Sequence, residues 1–217
     1  MISHVQSAIA QGTIAPAINS PDPAGSFTWE DQFSSQGHEF RNTFQTGGVT
    51  HVFASGHGSP GFMSNGKVKR FTPHVALAEL PFHLPAILLA MELANTNYNI
   101  TLVGPASVNG QPAIQVHLTI DTDPLNSTLG VQEWFFDPVS GLPLRVEYRL
   151  PDTFDAREFM KAALDFSNFQ IVQGLVVPFT MTAYERGTPR TIATISSLTL
   201  NPSVSPGDFD LPTGGVQ

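Results

Sequence analysis

Residues 72–95, TPHVALAELPFHLPAILLAMELAN, break the pattern of the chain, which otherwise reads as strand after strand. Within this stretch Val75, Leu77, Leu80, Leu84, Ile87, Leu88, Met91 and Leu93 recur at helical rather than alternating spacing. Pro81 removes an amide donor and should bend or split the segment. Pro85 suits the first position of a second helical piece running to about Leu93, with Asn95 near its end. From Ala86 to Met91 that piece is apolar nearly all round, so it must be surrounded by protein rather than laid on a surface. Pro81, His83, Pro85 and Glu92 interrupt the stretch, and it is too short for a bilayer, which needs about 20 apolar residues.

On either side the chain is hairpin after hairpin. Ser26–Glu30 and His38–Phe44 alternate polar and apolar residues, and Val49–Ala54 follows Gly47-Gly48. Asn65-Gly66 and Asn109-Gly110 are strong two-residue hairpin signals, the second lying between 98–103 and 113–120. Asp137-Pro138-Val139-Ser140-Gly141, Val172-Gln173-Gly174 and Arg186-Gly187-Thr188-Pro189 separate the later runs. With Val5–Ile14 this makes about ten to eleven strands at hairpin spacing, a mainly β (α+β) meander rather than a parallel βαβ fold. A long curved sheet and one greasy helix are consistent with the sheet wrapping the helix. No domain boundary stands out, so one domain over residues 1–217 is expected, with 201–217 a partly irregular tail. Within that tail, 208–212 is placed to make a last strand-edge contact.

Composition narrows the function by exclusion. Ten Lys plus Arg against 18 Asp plus Glu give a net charge of -8, which carries no general attraction for nucleic acid or anionic lipid surfaces. The absence of cysteine removes disulfides, thiolate metal sites and cysteine nucleophiles. The start, Met1-Ile2-Ser3-His4-Val5, has neither the basic nor the apolar region of a signal peptide.

Trp134-Phe135-Phe136-Asp137-Pro138 and Gly141-Leu142-Pro143-Leu144-Arg145 resemble the middle of a LolA/LolB-like, outer-membrane lipoprotein-sorting protein, as in exported proteins of acidobacterial type. Asp165–Phe169, Val176-Val177-Pro178-Phe179 and Phe209-Asp210-Leu211-Pro212 are similar to downstream strands of the same family. The resemblance covers about residues 97–212. It implies an unclosed antiparallel β-barrel, a half-barrel, over a central helical plug, with an apolar cavity for acyl chains. It also implies a periplasmic or secreted protein whose leader has been removed. A basic residue on an early strand takes part in opening the cavity in that family, and Arg41 lies on an early strand here. The family's initial helix is not seen; residues 4–14 read as strand.

Gly56-His57-Gly58-Ser59-Pro60 puts an imidazole and a hydroxyl in one glycine-flanked turn but lacks a nucleophile elbow, so a solvated turn is the simpler reading. Seven histidines include no His-x-x-x-His pair; His51 facing His38 across a hairpin is the one pairing the sheet suggests, and no metal or other cofactor is expected. Glu133 and Glu147 sit on facing strands of one hairpin, as a glycosidase pair could, but eighteen acids in a meander produce such pairs by chance, and pairing with Arg145 or Arg149 is much the better reading.

The sixteen phenylalanines and two tryptophans weigh more. They fill a barrel core, or they line a pocket that one interrupted helix leaves open. The expected pocket walls are Phe82, Leu84, Ile87, Leu88 and Met91 from the helical segment and Phe40, Phe53, Trp134 and Phe166 from the strands. The reading favoured is a non-catalytic carrier sequestering a lipid, an acyl chain or a lipidated protein segment, with a protein partner as a further expectation. The alternatives are a glycoside or ester hydrolase built on His57 and a protein-interaction module.

Overall fold

The computed structural model describes residues 4–34, 37–56, 59–151 and 158–212. Among these residues thirteen antiparallel strands form one sheet. β1 (Ser7–Pro16), β2 (Gly25–Ser34), β3 (Gly37–Thr46), β4 (Val49–Gly56), β5 (Ser59–Ser64) and β6 (Lys67–Arg70) form one arm. The second arm comprises β7 (Tyr98–Val108), β8 (Gln111–Ile120), β9 (Gln132–Phe136), β10 (Pro143–Pro151), β11 (Phe159–Val172), β12 (Leu175–Glu185) and β13 (Thr188–Leu200). Strand order is β6-β5-β4-β3-β2-β1-β13-β12-β11-β10-β9-β8-β7. Each arm is the expected meander, but β1 pairs with β13, so both chain ends enter at the middle of the sheet. β6 and β7 are left as the edges, and the sheet is unclosed. The count is thirteen rather than ten or eleven because short strands such as β5 and β6 stand as separate elements.

The helical stretch links those two edge strands. A 3-10 helix (Pro73–Ala78) gives way at Glu79 to an irregular turn, and α1 (Pro85–Ala94) begins at Pro85 as its N1 residue. Ile87 and Leu88 of α1 and Leu84 before it join Ala10, Phe27, Leu118, Trp134, Val146, Val177 and Met181 in the main core. This is the surround that an all-round apolar helix requires. A second short helix, α2 (Pro124–Leu129), was not anticipated; Asp123 caps it by accepting from the amides of Leu125 and Asn126.

Two hairpins form as expected, with Asn65-Gly66 and Asn109-Gly110 both at positive φ. Between strands, Gly12 sits at a break in the β1–β13 register. A Cβ there would meet the Thr194 carbonyl oxygen at 2.1 Å and the Phe27 ring at 2.6 Å. The tail departs from expectation: residues 206–209 form a 3-10 turn, and Phe209 and Leu211 are buried rather than added to a strand edge. Leu211 packs with Val52, Ala54 and Val68 on the outer face of the sheet, the face turned away from α1.

Candidate ligand-binding site

On β2 the inward positions alternate as Phe27, Trp29, Asp31 and Phe33, and on β3 as Phe40, Asn42 and Phe44. Trp29, Phe44 and Asn42 therefore face the segment that crosses beneath the sheet. Leu80, Pro81 and Phe82 of that segment approach them from the other side, and Leu164, Met181 and Ala193 close the wall from β11–β13. Between them lies a cavity of about 350 Å³, the lower end of the range, about 300–1,000 Å³, in which small-molecule sites fall. Pro81 and Pro85 shape this space, because neither lets 79–84 continue as regular helix against the sheet.

Of the residues expected to line a pocket, Phe82 does so, with its ring 4.5 Å from that of Tyr148. Leu84, Ile87, Leu88, Trp134 and Phe166 lie in the packed core, and Met91 sits at its margin. Phe40 and Phe53 stack on each other, ring centres 5.5 Å apart, on β3 and β4. No α1 residue contributes to the wall of this cavity: Ile87 and Leu88 are packed into the core, Ala86, Leu89 and Met91 are half-buried, Leu93 is exposed, and the free space falls beside the turn preceding the helix.

Several polar groups also line the cavity. Asp31, 1% exposed, receives hydrogen bonds from His38 Nε2 at 2.8 Å and His83 Nε2 at 2.9 Å, one on each oxygen. Burial alone would raise the Asp31 pKa; the positive charge at His83 and the bonds from both imidazoles reverse this and hold the carboxyl well below the usual range. His83 thereby ties the 79–84 turn to β2. Glu79 faces Asn42, whose Nδ2 is 3.5 Å away, and burial pushes its pKa up to about 7. Glu185 lies 3.6 Å from Arg190. Asp31, one of the strand acids that cross-strand geometry could pair, is legible in the sequence as an acid in the inward phase of an aromatic strand, whereas Glu79 carries no such signal.

A second buried carboxyl stands apart from the cavity. Glu92 of α1, 2% exposed, accepts a short hydrogen bond from Gln132, which in turn accepts from Trp134 Nε1 at 2.7 Å. Its other oxygen has no hydrogen-bond partner among the described residues, and burial raises the pKa to about 7.

The other candidate groups are dispersed. His51 stacks on Phe62 and lies opposite Phe44, while His38 pairs with Asp31, so the two histidines do not meet. Glu133 and Glu147 do face each other across the β9–β10 ladder, yet Glu133 accepts from His117 and Gln115 and Glu147 lies 3.7 Å from Arg145. Arg41 points to the outer face and donates to the carbonyl oxygens of Asp208 and Asp210, away from the cavity. His57 and Gly58, the centre of the histidine–serine turn, lie outside the described residues.

No family model and no curated protein sequence matches this chain. Solved structures do. A DUF1329-family protein from Desulfovibrio piger superimposes with a TM-score of 0.62 at 16% identity, over 96% of this chain and 91% of its own. A putative outer-membrane lipoprotein-sorting protein domain from Vibrio parahaemolyticus gives 0.59 at 16% identity, over 94% and 89%. A LolA-superfamily protein from Nitrosomonas europaea gives 0.60 at 10% identity, over 96% and 91%. The unclosed antiparallel sheet and the helical segment crossing beneath it are therefore a LolA-like fold.

Proposed function

We propose that this protein is an exported carrier, periplasmic or secreted, that sequesters the apolar part of an amphiphile in the cavity beneath the 79–84 turn. The observation that carries this reading is the cavity itself: about 350 Å³, bounded by Trp29, Phe44, Phe82 and Met181 on a sheet left open at both edges. Likeness of fold to a lipoprotein-sorting domain supports it. Transfer of apolar surface from water, worth about 25 cal/mol per Å², supplies the driving force. The space suits a single alkyl chain; a multiply acylated segment would need the 79–84 turn to move outward.

The test is titration with the apolar fluorescent probe 1-N-phenylnaphthylamine. Ala183, in the cavity wall, is the position to fill. The wild-type chain should bind the probe, and Ala183→Phe should weaken binding by about tenfold or more, a loss of about 1.4 kcal/mol, while circular dichroism is unchanged. Equal binding by both proteins would place the probe elsewhere and remove the support for this reading.

A further inference from the structure

Among the described residues the carboxylates around the cavity outnumber its basic groups: the His83 imidazole is the one basic side chain in the wall, and it is taken up by Asp31. Asp31, Glu79 and Glu185 line the cavity, and among the described residues no lysine or arginine does. Asp31 accepts from His38 and His83, and Glu185, its side chain 44% exposed, has Arg190 Nε 3.6 Å away. Glu79 has only the amide of Asn42, at the limit of hydrogen-bond distance, and among the described residues no cation pairs with it. Glu79 is half-buried at the cavity wall, and a carboxyl partly withdrawn from water is stabilised by a hydrogen-bond donor or cation beside it. Here the space beside it is the ligand cavity, so the ligand is the available partner. A ligand carboxylate or phosphate placed there would meet Glu79 with no lysine or arginine among the described wall residues and with His83 already engaged by Asp31, and like charges brought together out of water repel. An ammonium or hydroxyl head would instead donate to Glu79.

We propose that the cavity selects single-chain amphiphiles whose head group donates hydrogen bonds and carries no negative charge, an alkylammonium first, with Glu79 receiving the head. The proposal rests on the carrier reading above and adds the chemical class of ligand.

Calorimetric titration of the full chain with dodecylamine, dodecanol and dodecanoate, each below its micelle concentration, tests it. Dodecylamine should bind about tenfold or more tighter than dodecanoate, with dodecanol between them. Glu79→Gln should remove the gap between amine and carboxylate, whereas Glu185→Gln, whose charge Arg190 already counters, should leave the order intact. Dodecanoate binding as tightly as the amine, or a gap that persists in Glu79→Gln, overturns the assignment. The order of the three in the wild-type protein decides the matter alone if Glu79→Gln does not fold. Should 1-N-phenylnaphthylamine bind while none of the three does, head-group selection is wrong and the carrier reading stands; should the probe fail too, both fall.

Discussion

Asp31 and Glu92 are two buried carboxyls with opposite surroundings, and they set opposite pH dependences. Asp31 is enclosed with two imidazole donors, and its folded pKa lies below the ordinary value. Its contribution is therefore present above about pH 3.9, the unfolded value, and lost as pH falls through the folded one. Asp31→Ala leaves His38 and His83 buried without their acceptor and should cost about 3–5 kcal/mol in urea denaturation; a loss below 1 kcal/mol would mean the histidines find water instead. Glu92, raised to about 7, behaves in the reverse sense. The native state holds its proton longer than the unfolded chain, so stability is fullest below the unfolded pKa and declines as pH rises toward about 7. For Glu92 the decline is on the order of 3 kcal/mol. Melting temperatures should fall between about pH 5 and 8, and Glu92→Gln should flatten that slope, in part only because Glu79 is raised in the same direction. An unchanged slope in Glu92→Gln would show that Glu92 ionises as freely in the folded state as in the unfolded one.

The 72–95 stretch shows how far elements were legible. Its helical spacing and the start of α1 at Pro85 follow from local chemistry, since proline fixes φ and cannot continue the preceding helix. The hairpins at Asn65-Gly66 and Asn109-Gly110 follow from the positive φ their turns demand. By contrast, the position of the cavity depends on which face of the sheet the 79–84 turn meets, and no local pattern states that. The turn's attachment does lead to a prediction. His74, in the 3-10 helix before the turn, bonds Asn126 of α2 at 2.8 Å, and His83 within the turn bonds Asp31. His83→Ala should release the second anchor alone, so amide hydrogen exchange should speed up in 79–84 while α1, held by Ile87 and Leu88, keeps its protection. Protection lost equally in both would mean that turn and helix open as one unit.

At the scale of the molecule, the sheet is two meanders joined by β1 and β13, and this join was the part of the fold hidden from sequence. Hairpin signals report neighbours in sequence; a pairing between residues 8–16 and 191–200 has no turn to announce it. Gly12 is its local mark, legible only once Thr194 and Phe27 are seen beside it. The same join brings Ile14, Thr191 and Ala193 to the cavity opposite Leu80 and Phe82, so the site is composed by the whole sheet around one crossing segment. The central claim is that this cavity holds an alkyl chain, and a crystal structure of the protein with bound dodecylamine tests it most directly. The account predicts continuous density for the chain between Phe82 and the Trp29, Phe44 and Met181 side chains, with the nitrogen at Glu79. Density for the ligand only on the outer face or along the β7 edge, with this cavity empty, would contradict it.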